Sequence, residues 1–103
     1  MIRLNRYTLI LTSLFLISFE LFGQGIKYMG WVQDEQSKEA LAFVNLISSD
    51  GRFGTSTDID GRFSVVLPSR VDSIRFSYLG YETRYVSTRD LKGPKIVFLR
   101  PIK

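Results

Sequence analysis

From Ile26 to its end the chain alternates short apolar or alternating runs with turn residues at regular intervals. Such punctuation is the pattern of an all-β domain. Ile26 to Gln33 is expected as a first strand, with Ile26, Tyr28 and Val32 on one face and Lys27 and Gln33 on the other. Asp34 to Glu39 is a charged loop. Leu41 to Ile47 has apolar residues on both faces, which suits a strand in the middle of a sheet. Ser49-Asp50-Gly51 turns the chain, and a short third strand, Gly54 to Thr57, leads into Asp58-Ile59-Asp60-Gly61. There Gly61 is expected to supply a positive φ while the two aspartates cap nearby amides.

The later runs alternate more cleanly. Phe63, Val65 and Leu67 oppose Arg62 and Ser64 over Arg62 to Leu67, and Pro68-Ser69-Arg70 ends that strand because proline cannot donate to a ladder. Ile74, Phe76 and Tyr78 alternate with Ser73, Arg75 and Ser77 over Asp72 to Tyr78. Gly80 turns the corner into Tyr81 to Ser87, and a Gly93-Pro94 break precedes Lys95 to Arg100. Seven short strands without a helical segment imply two packed sheets. The first strand is expected at a sheet edge, since it follows a leader segment and carries Lys27 and Trp31 beside its core residues.

The leader reading rests on residues 1–23. Arg3 and Arg6 precede Tyr7 to Phe19, an uncharged and mostly apolar run of signal-peptide length, too short for a comfortable membrane span. Leu21-Phe22-Gly23 places a small residue before a cut ahead of Gln24, and a cut after Gly25 is the neighbouring alternative. An uncleaved anchor is the rival reading, against which Glu20 at the end of the run argues. Residues 24–103 then form the mature domain. Losing Arg3, Arg6 and Glu20 leaves 12 basic and 9 acidic side chains.

Composition narrows the chemistry. One domain is the limit for 103 residues, and 8 Phe with 5 Tyr can furnish a compact core. The net charge of +4 is modest and spread along the chain, so nucleic acid is not expected as a partner. The absence of Cys removes disulfides, thiolate metal sites and cysteine nucleophiles. The absence of His removes imidazole ligands and the usual neutral-pH proton shuttle. No enzyme is expected, and no cofactor.

Two motifs carry a resemblance. Gly54-Thr55 with Thr57-Asp58-Ile59-Asp60-Gly61-Arg62-Phe63, then Ile74-Arg75-Phe76-Ser77-Tyr78-Leu79-Gly80-Tyr81, follow Gly30, Val32 and Phe43-Val44-Asn45. On these residues the segment Met29 to Val86 resembles the carboxypeptidase regulatory-like domain, a transthyretin-like β-sandwich. Ala42 departs from a proline common in that family. The resemblance implies a seven-stranded sandwich in which Asp58, Asp60, Gly61, Phe63 and Gly80 build the turns. It also implies an exported protein of the periplasm or outer membrane, as in extensions of Bacteroidetes TonB-dependent receptors. Lys103 closely follows the last expected strand, which leaves open a free-standing copy or the front of a longer receptor.

Three functions follow as alternatives. The first is a non-catalytic interaction or spacer module acting on an envelope or outer-membrane protein, touching membrane only through its signal peptide or its partner. The second is a small-ligand or glycan binder using Trp31, Phe53 and Tyr81. The third is a calcium-stabilised turn at Asp58 and Asp60, disfavoured because the closing Glu of a calcium loop is missing and Arg62 stands beside it. Oligomeric state is open.

Overall fold

The computed structural model describes residues 25–102. The expected signal peptide, residues 1–23, lies outside them. Seven strands occur in order: β1 (Gly25–Asp34), β2 (Asn45–Ser48), β3 (Gly54–Ser56), β4 (Arg62–Pro68), β5 (Ser73–Ser77), β6 (Arg84–Ser87) and β7 (Lys95–Leu99). One turn of 3-10 helix, Thr88–Leu91, joins the last two. The strands form a three-stranded sheet, β4-β1-β7, and a four-stranded sheet, β3-β2-β5-β6. The expected two-sheet sandwich is the observed architecture.

Alternation decides which faces meet. Tyr28 and Val32 of β1, Phe63 and Leu67 of β4, and Val97 and Leu99 of β7 are buried. They face Leu46, Ile74 and Phe76 from the second sheet within one core cluster. Phe63 meets Phe76 edge-on, with ring centroids 5.5 Å apart. Such pairs add about 0.5–1.5 kcal/mol beyond the area they bury. Val71 and Leu91, from the connections, join the same cluster.

Three expectations are corrected. β1 is not an edge strand but the middle of its sheet, antiparallel to β4 and parallel to β7. Its second neighbour comes from the far end of the sequence, and local patterning carries no trace of that pairing. The second strand starts later than Leu41. Leu41–Val44 is instead a turn, with Phe43 at φ 63°. Its apolar residues are divided between inside and outside, Leu41 and Val44 buried and Phe43 exposed. β2 does lie inside its sheet, as the apolar run implied. Likewise β6 begins only at Arg84, because Tyr81 pairs through an isolated bridge with Pro101.

Glycine is required at one close approach. At Gly30 a Cβ would fall on the Lys95 carbonyl, so this position is what allows β7 to lie against β1.

Candidate interaction surface

The outer face of the three-stranded sheet is built by the odd-numbered residues of β1. Register sets Lys27 opposite Val66, Met29 opposite Ser64 and Trp31 opposite Arg62 on β4. On the other side Trp31 lies beside Ile96 of β7. Met29, Trp31, Val66 and Ile96 are all exposed. Together they make an apolar strip between cationic side chains. An adjoining cleft of about 330 Å³ is lined by Met29, Gly30, Trp31, Asp58, Arg62, Phe63, Ser64 and Pro94. Grouped exposed apolar side chains of this kind mark interaction surfaces more often than scattered ones do.

The aromatics singled out by the sequence do not share a platform. Trp31 lines the cleft. Phe53 is half-buried against the core, with the Arg70 guanidinium over its ring. Tyr81 is also half-buried, tilted against Tyr78 with centroids 5.6 Å apart. Its hydroxyl donates to Asp34 Oδ2 at 2.6 Å. That bond pushes the Tyr81 phenol up to about 12 and holds the Asp34 carboxyl below its ordinary value.

The Asp58–Gly61 turn is held by one carboxylate. Asp58 Oδ1 accepts from the Asp60 and Arg62 amides, both at 2.9 Å. The Gly61 N–H donates to the Asp58 carbonyl. Gly61 sits at φ 76°, and a Cβ there would stand 2.9 Å from the Val32 carbonyl oxygen. Phe63 leaves the turn directly into the core. Asp60 is exposed, and its side chain makes no hydrogen bond among the described residues. No three or more Asp or Glu side chains converge as a metal would need among those residues. Gly80, at φ 87° in open space, turns the chain between Leu79 and Tyr81.

The family profile of the CarboxypepD_reg-like domain matches residues 28–99. The chain belongs to that family. It is also 43% identical over 49 residues to TonB-dependent receptor P39 of Formosa agariphila, a match covering 48% of this chain. It spans 5% of the length of that relative. No solved structure gives a significant match.

Two residues take bonding roles that the sequence pattern does not show. Thr57 is buried; its Oγ1 accepts from the Val44 amide at 2.9 Å and donates to the Leu41 carbonyl at 2.7 Å. Asp34 Oδ1 accepts from the amides of Gln36 and Ser37. In the sequence Thr57 stands as the last residue of the third strand and Asp34 as the first of a charged loop, and neither position announces a hydrogen-bonding role. The partners of Thr57 lie 13 and 16 positions away; Asp34 joins a local turn to Tyr81, 47 positions on. Among the described residues no helix is long and apolar enough to cross a membrane.

Proposed function

We propose that this CarboxypepD_reg-like domain is a non-catalytic interaction or spacer module of the cell envelope, acting on an outer-membrane receptor or serving as part of one. The observation that carries this reading is the family match over residues 28–99 together with the similarity to a TonB-dependent receptor. The surface supports it: the cleft offers apolar side chains, Arg62, the Ser64 hydroxyl and one carboxylate, Asp58, whose Oδ1 is engaged by backbone amides. Poising a proton or a nucleophile would need more than that set. Export follows from the leader over residues 1–23, and the mature domain then begins at or near Gln24.

The test is cell fractionation followed by mass spectrometry and cross-linking from residue 31, using a photoreactive group in place of Trp31. Mature protein starting at or near Gln24, cross-linked to one outer-membrane protein, is the expected result. Intact Met1 at the N-terminus in the cytosolic fraction would overturn the reading.

A further inference from the structure

β1 is covered along one side by β4 and the backbone of the turns beyond it, but along only half of the other. β4 covers Gly25 to Trp31, whereas β7 begins at Gly30 and runs to Asp34. Backbone groups in a strand point alternately to its two sides. The Val32 amide donates to Gly61 and its carbonyl accepts from Leu41, so even-numbered residues face β4 and the turn beyond it. The Glu35 amide donates to Leu99, so odd-numbered residues face β7. The N–H and C=O of Lys27 and the N–H of Met29 therefore point into the gap ahead of β7. Among the described residues none of these groups has a backbone partner outside the strand ladders.

β7 does not extend into this gap. Gly93, at φ 75°, and Pro94 direct the chain away from it just before Lys95. The core side is uncovered as well. Ile26 shares the inward orientation of Tyr28, yet is 44% exposed. Met29 and Pro94, at the closed end of the gap, also line the apolar cleft.

We infer that this gap is a strand-acceptor site. An extended segment of a partner protein adds beside Gly25–Met29 as a fourth strand, in line with β7. This rests on the interaction-module reading and names the surface and the partner chemistry. Five residues span about 17 Å of strand, which sets the length of the inserted segment. Alternate apolar side chains cover Ile26 on the inner face and contact Met29 on the outer face. Lys27 and Lys95 are exposed beside the gap and form no ion pair among the described residues. The segment is accordingly acidic at its flanks, while backbone bonding supplies most of the affinity. A second copy of this basic chain is a poorer occupant on charge.

The probe is a synthetic peptide of alternating valine and threonine with glutamates at both ends, added to the purified full chain. Amide exchange read by NMR should slow at least tenfold at Lys27 and Met29, and a lysine-ended version should bind at least tenfold more weakly. Met29→Pro should abolish binding with an unchanged melt, because the Met29 N–H serves no bond to β4. Tyr28→Pro removes a group that faces β4 and should unfold the domain, so it reports that the parity is assigned correctly. Should Met29→Pro itself melt early, Lys27→Glu is the second variant, expected to weaken the acidic peptide tenfold with the fold intact. Protection at the outer edge of β3, β4 or β6 instead would overturn the acceptor site while leaving the interaction-module reading standing. Protection of Lys27 and Met29 that grows with protein concentration alone would replace the partner with a second copy. No protection anywhere would remove the acceptor site, and the cross-linking result would then judge the module reading separately.

Discussion

The Tyr81 hydroxyl donates to Asp34 Oδ2 at 2.6 Å, tying the end of β1 to the corner between β5 and β6 across 47 positions of sequence. The other oxygen of the same carboxylate holds the loop after β1 through the Gln36 and Ser37 amides. One side chain thus joins two connections at one end of the sandwich.

That bond has a pH signature at both extremes. The Tyr81 pKa is raised to about 12 by the bond to Asp34 and by burial, from about 10 in the unfolded chain. Its contribution is complete below about pH 10 and is lost as pH rises through about 12. Asp34 is depressed, first by the Tyr81 hydroxyl and then by the Ser37 amide. Its contribution is complete above the unfolded value of about 4 and is lost as pH falls through the folded value. Tyr81→Phe should lower the melting temperature at pH 7 by several degrees. The gap from wild type should narrow above pH 10 and again well below pH 4, measured by thermal melts across pH.

Acid should weaken the wild type for further reasons. Asp50 is held down by the Ser48 hydroxyl, the Arg52 amide and then Arg70, and Glu35 by its contact with Arg100. Both contributions carry the same sign as that of Asp34: present above about pH 4 and lost below it. Asp50→Asn should therefore flatten the acid limb of the stability profile, as followed by denaturant titration at stepped pH.

Thr57→Val should destabilise the fold without changing its volume. It strands the buried Val44 amide and Leu41 carbonyl, which Thr57 Oγ1 bonds at 2.9 Å and 2.7 Å. An unsatisfied buried group costs about 1–3 kcal/mol. Urea unfolding checks it, and Thr57→Ser should recover much of the loss.

The glycines should separate by surroundings, not by φ alone. Gly51, Gly61 and Gly80 all have positive φ, but only Gly61 has neighbours where a Cβ would go. Gly61→Val should cost on the order of 1–3 kcal/mol from backbone strain, with crowding against Val32 added. Asparagine, which tolerates that backbone region, should be accepted at positions 51 and 80 and rejected at 61. Calcium or a chelator should leave the wild-type melt unchanged, since no three acidic side chains converge around a common point among the described residues.

Gly30→Ala should detach β7 from β1. Overpacking of this kind costs about 1–3 kcal/mol, and here the obstacle is the Lys95 backbone rather than a movable side chain. Faster amide exchange across Lys95–Leu99, with β4 pairing retained, is the expected reading.

Local chemistry made much of this protein readable in one dimension. Alternation of Phe63 with Ser64 and of Ile74 with Arg75 assigns strands and their inward faces, because strand side chains repeat every second residue. Asp58 and Gly61 announce their turn, since a carboxylate that caps its own loop and a residue free of Cβ act within a few positions. Pairing across the molecule left no such mark. That β1 would lie between β4 and a parallel β7, that Thr57 would pin Leu41–Val44, and that Tyr81 would turn inward to Asp34 all depend on residues remote in sequence. The half-paired flank of β1 belongs with them. It exists because Gly93 and Pro94 stop β7 at Lys95 while β4 runs on to Gly25, and only the tertiary fold sets those two limits side by side.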